Sequence, residues 1–83
     1  MAGGLTSGLL WYDSDPKTGL TAKLERAAAR YRQKFGQYPN TCYVHPAALE
    51  REIEWQGIRV AAAPNVPPHH LWLGVANHSP REA

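Results

Sequence analysis

Apolar residues recur at helical spacing over residues 20–36, LTAKLERAAARYRQKFG. Leu20, Leu24, Ala27, Ala28, Tyr31 and Phe35 share one face of a 3.6-residue period, which predicts an amphipathic helix with that face buried. Asp15 before Pro16 predicts its start, because a carboxylate accepts from the first free N–H groups and proline fits the first turn. Thr18 is the alternative cap, since Gly19 weakens that turn. Gly36 supplies the positive φ of a helix terminus, and Tyr38-Pro39-Asn40 then turns the chain.

Elsewhere the period shortens to two. Residues 8–12, GLLWY, form a short apolar run bounded by turn formers and read as a strand. Whether Leu9 and Trp11 or Leu10 and Tyr12 face inward stays open. In residues 41–45, TCYVH, Cys42 and Val44 take one face, and Thr41, Tyr43 and His45 the other. Pro46 removes a donor and ends that strand, with a helical turn expected over 46–51. Residues 52–60, EIEWQGIRV, alternate around Gln56-Gly57 and predict a hairpin or bent strand with Ile53 and Trp55 inward. Residues 64–68 are expected to form a stiff extended connector, and residues 70–75, HLWLGV, the last strand. Residues 1–7 and 77–83 read as disordered tails around one domain at 8–76. The expected core is Leu9, Trp11, Leu20, Leu24, Ala28, Tyr31, Phe35, Cys42, Val44, Ile58, Val60, Leu71 and Leu73. One long helix among short strands predicts an α/β (α+β) fold, a small two-layer sandwich with the helix packed on a sheet of about four strands.

The 83 residues are 43% hydrophobic and 19% charged, an ordinary globular balance for a single domain. A chain of this size has modest stability, on the order of 4–12 kcal/mol, and little core to give up to a deep active site. That favours association over catalysis. The single Cys42 excludes an intramolecular disulfide. No run approaches the roughly 18 apolar residues of a membrane span. The first residues lack the basic region and apolar core of a signal peptide, and the expected compartment is cytoplasmic.

Charge is segregated although the net value is only +2. Residues 17–34 hold six bases and one acid, and residues 50–54 three acids and one base. Such polarity suits a polyanion, or copies of the chain meeting head to tail. Lys23, Arg26, Arg30 and Lys34 form a basic stripe beside the apolar helix face, with no acid among them. They are the candidate nucleic-acid contacts, made through phosphates without base specificity. Trp55, flanked by Glu52, Ile53 and Glu54 beside a turn, is the candidate anchor for a protein partner.

The punctuation from Pro39 onward resembles part of the tailed-phage major capsid fold, shared with encapsulin shells. Pro39, His45, Pro46, Gly57, Ile58, Val60, Val66, Pro67, Leu73 and Gly74 follow that fold's order, and with the helix the match spans residues 20–75. The chain is far shorter than a shell subunit and has no room for the long spine helix or the extended arm. The resemblance is therefore to the axial subdomain, and it implies self-association or docking without catalysis.

Other chemistry is thinly supported. Cys42, His45, His69 and His70 have metal-ligand residue types, but residues three apart on a strand point to opposite faces, and a zinc site needs about four convergent ligands. Cys42 lies mid-strand beside Val44, where burial opposes a nucleophilic thiolate. Asp13 and Asp15 pair only in sequence. No glycine-rich phosphate loop is present. The expectation is a non-enzymatic association module without cofactor, whose partner is itself or a larger protein complex. A nucleic-acid-binding accessory protein is the first alternative and a small metal-binding protein the second.

Overall fold

A computed structural model describes residues 8–76; the expected tails at 1–7 and 77–83 lie outside the described residues. The elements in order are β1 (Leu9–Tyr12), α1 (Leu20–Phe35), β2 (Thr41–Val44), a 3₁₀ turn (Pro46–Ala48), β3 (Ile53–Trp55), β4 (Ile58–Ala62) and β5 (His70–Gly74). The five strands make one mixed sheet in the order β1-β5-β2-β4-β3. β5 pairs antiparallel with both β1 and β2, and β2 pairs parallel with β4. β1, β2 and β4 therefore share a direction, and their carboxyl ends lie along one edge. The fold class is the expected one: a single helix on one sheet, with one strand more than the estimate of about four.

The register sorts the side chains. Leu9, Leu73, Cys42, Val60 and Ile53 align across the sheet. Trp11, Leu71 and Val44 form a second row on the same face. Leu24, Ala27, Ala28 and Tyr31 of α1 close over these rows to make the core, with Leu9, Trp11, Leu20, Leu49, Ile53 and Trp55 packed around it. Two consecutive alanines at the contact bring the helix backbone close to the sheet. Asn40 fastens the far end of β5: its side chain donates to the Ala76 carbonyl at 3.1 Å and accepts from the Ala76 N–H at 2.9 Å. The hairpin turn places Gln56 at φ 48° and Gly57 at φ 82°, the paired left-handed residues of a two-residue loop.

Several expectations are corrected. Phe35 is 39% exposed and outside the core. A 16-residue helix runs about 24 Å, whereas strands of four or five residues run about 16 Å, so the last turn overshoots the sheet. The Phe35 ring rests instead on Tyr31, at 4.5 Å between centroids. Neither Asp15 nor Thr18 caps α1; Gly19 occupies that position without a side-chain bond. Asp15 organises the preceding turn instead, accepting from Thr18 Oγ1 at 2.7 Å and the Lys17 N–H at 2.9 Å. Those two donors hold its carboxyl below the usual carboxylate range. Strand alternation puts Thr41 on the outward face, yet it is buried, with its hydroxyl donating to Asn40 Oδ1 at 2.8 Å. The connector after β4 is a series of turns, not an extended spacer: Val66 N–H donates to the Ala63 carbonyl and His70 N–H to that of Pro67.

Two substitutions test the helix-on-sheet packing. Leu24→Ala should cost about 2–5 kcal/mol in urea unfolding, because the side chain is fully buried. Phe35→Ala should cost less than about 1.5 kcal/mol. Equal losses would mean that the helix is rotated from the position described.

Candidate functional site

The basic stripe meets an acid supplied from outside the helix. Asp13 follows β1 directly and lies against the first turns of α1. Lys23 Nζ donates to the Asp13 carbonyl at 2.9 Å, and the Asp13 carboxylate pairs with Arg26 at 3.6 Å. The Asp13 side chain is only 11% exposed, so this pairing ties the helix to the end of β1. Arg30 donates to Gln33 at 3.0 Å, and Lys34 lies 5.5 Å from the Phe35 ring centre. Half of the stripe thus faces Asp13, which sequence spacing along the helix did not reveal.

The hairpin around Trp55 forms one edge of the sheet. Ile53 and Trp55 are half-buried and pack against the core from that edge, while Glu52 pairs with Arg59 at 3.1 Å. Glu54 lies opposite Arg59 in the register, on the face away from the helix.

Cys42 is buried under α1, whereas His45 stands beyond the strand end, so the two do not converge. Burial pushes the Cys42 thiol up to about 12. Among the described residues no group of three or more His, Cys, Asp or Glu side chains is arranged to hold a metal ion. What the fold does assemble is a cleft of about 390 Å³ beyond the carboxyl ends of β1 and β2. His45, His69, His70, Lys23 and Asp13 line it, over an apolar floor that includes Leu20, Val44 and Leu71. In sequence His45 stands far from His69 and His70; the antiparallel entry of β5 between β1 and β2 is what brings them together.

The second feature is the sheet face opposite α1. Leu10, Trp72, Tyr43 and Ala61 align across β1, β5, β2 and β4, and Tyr12 lies beside His70 in the next row, with ring centres 4.9 Å apart. Leu10 is 51% and Tyr12 60% exposed, and Tyr43 and Trp72 are half-buried. Val66 is buried yet separate from the core cluster. It lines a groove of about 530 Å³ with Leu10, Tyr43 and Trp72, so the connector covers part of this face. Gly8 lies flat on β5 at its margin, where a Cβ would collide with the Leu73 carbonyl oxygen. The aromatic residues of α1, Tyr31 and Phe35, do not lie on its basic stripe. The aromatic row comes from three strands distant in sequence and appears only once their order is known.

Among the described residues no helix is long and apolar enough to cross a membrane. Comparison of the chain with protein-family models, curated proteins and solved structures finds no match.

The state of Cys42 has a direct consequence. Its fully buried thiol should react with a thiol-exchange reagent at pH 8 only when the protein is unfolded in urea, native labelling being at least about 100-fold slower. Fast native labelling would show that β2 is open to solvent.

Proposed function

We propose that this protein is a non-enzymatic association module that pairs with a second copy of itself through the sheet face opposite α1. One observation carries the reading: a contiguous row of Leu10, Trp72, Tyr43 and Ala61, with Tyr12 beside it, lies on the face that the helix leaves uncovered. A two-layer fold ordinarily makes such a face polar, and aromatic residues at the centre of a surface patch are the usual anchors of an interface.

Charge favours a like partner. Glu54 and Arg59 sit side by side at the β3 margin of this face, and the aromatic row itself carries no charge. A two-fold pairing sets an uncharged centre against itself and leaves both signs at the rim. Single-stranded nucleic acid fits less well, because stacking platforms need cations along the strand path, and Arg59 is engaged by Glu52 at 3.1 Å. The resemblance to a shell axial subdomain points in the same direction. Five strands of three to five residues span roughly 24 Å by 16 Å. That patch is smaller than the roughly 800 Å² per partner of a standard specific interface and belongs with the weak, transient ones. The expected affinity is accordingly weak, with Kd about 10–100 μM.

Sedimentation between about 5 and 500 μM should show a reversible monomer–dimer equilibrium. Leu10→Glu should shift it to monomer by at least tenfold in Kd without lowering the urea midpoint appreciably, because Leu10 is 51% exposed. A wild-type monomer throughout that range, or a dimer untouched by Leu10→Glu, overturns the proposal.

A further inference from the structure

We infer that the cleft beyond the carboxyl ends of β1 and β2 binds a small organic anion, a carboxylate or phosphate ester carrying an apolar body. The site adjoins the sheet face at His70, whose ring lies 4.9 Å from that of Tyr12, and the inference does not rest on self-association.

The cleft is supplied with hydrogen-bond donors. His45 Nδ1 accepts from the Ala47 N–H at 3.0 Å, so the neutral ring carries its proton on Nε2. The 3₁₀ turn at Pro46–Ala48 thereby fixes the tautomer and leaves one N–H donor for the cleft. Lys23 spends one ammonium proton on the Asp13 carbonyl at 2.9 Å, which orients the amine and leaves two protons. His70 Nδ1 lies 2.7 Å from the Pro68 carbonyl, which holds its ring in place beside Tyr12. His69 is held at φ 64°, an uncommon conformation for a histidine, at the same wall.

The field in the cleft favours negative charge. α1 begins at its rim, with Leu20 in the lining, no side-chain cap and no acid in its first turn. The helix end therefore presents its positive pole uncompensated by its own residues. Asp13 is the lining carboxylate that opposes this, but it is 11% exposed, paired with Arg26 and engaged by the Asp15 N–H at 3.1 Å. Its charge is directed to the helix side. The cleft is larger than an inorganic anion needs, and Leu20, Val44, Ala47, Ala48, Pro68 and Leu71 give it apolar walls. Few polar groups converging in an apolar hollow at the carboxyl ends of parallel strands is the ordinary build of a small-molecule site.

The test is ¹H–¹⁵N NMR titration of the full chain with phenyl phosphate, benzoate and inorganic phosphate as separate probes. Saturable shifts confined to Leu20, Lys23, His45, Ala47 and residues 69–71 are expected with at least one aromatic anion, at least tenfold tighter than with inorganic phosphate. Phenyl phosphate above benzoate identifies a phosphate ester as the ligand class, and the reverse order a carboxylate. His45→Gln and Lys23→Gln should each weaken binding at least fivefold, while Arg30→Gln, outside the cleft, should not. Thermal melts confirm that each variant is folded. If His45→Gln does not fold, Ala48→Trp, which fills the cleft at an exposed position, serves instead and should abolish the shifts. No saturable shift at millimolar probe, or shifts spread over all surface lysines and arginines and unchanged in these variants, overturns the inference.

Discussion

The structure depends on one apolar stripe. Leu24, Ala27, Ala28 and Tyr31 are the buried residues of α1, and with Leu20 beside them they cover one face of a five-stranded sheet. Leu24 and the facing Cys42, Val44, Ile58, Val60, Leu71 and Leu73 are almost fully shielded from water. Each such large side chain contributes roughly 1.5–3 kcal/mol on burial, so this contact supplies most of the stability available to a chain of this size. Among the described residues α1 is the one long helix, so one face is covered by a helix and the other only in part, by the connector after β4. The aromatic row on the other face follows from that constraint.

β5 makes the contact cooperative. Among the described strands it is the last in sequence and lies between the first two, so β1 has no partner in the sheet until β5 has folded back. Most of the sheet is thus assembled by long-range pairing, a topology that slows folding. Asn40 pins the end of β5 to the start of β2, and Asp13 pins the end of β1 to α1 through Lys23 and Arg26. The same insertion sets His69 and His70 against His45, so the cleft and the core share one cause.

Local physics made much of this legible from the residues. The stripe from Leu20 to Tyr31, the left-handed Gly36 terminus at φ 77° and the Gln56-Gly57 turn depend on near neighbours, and each occurs where its pattern placed it. Phe35 fits the same helical period, but its burial depends on how far the sheet extends, which no period encodes. Thr41 follows strand alternation, yet Asn40 and the neighbouring strands bury it. The Asp15-Pro16 pair is a real turn signal that Asp15 satisfies before the helix, through Thr18 and Lys17. Both candidate sites needed strand order. The row Leu10, Trp72, Tyr43 joins residues more than 60 positions apart at its extremes, and the acid that meets the basic stripe comes from a different element.

The central claim is that the sheet face opposite the helix is where two copies meet. Isotope-filtered NMR on an equal mixture of ¹³C-labelled and unlabelled protein, at about 500 μM, reads that contact directly. The account predicts intermolecular NOEs among the side chains of Leu10, Tyr12, Tyr43 and Trp72, with none from Leu24 or Val60. A complete absence of intermolecular NOEs, or a set confined to Ile53 and Trp55 at the opposite edge, would contradict it.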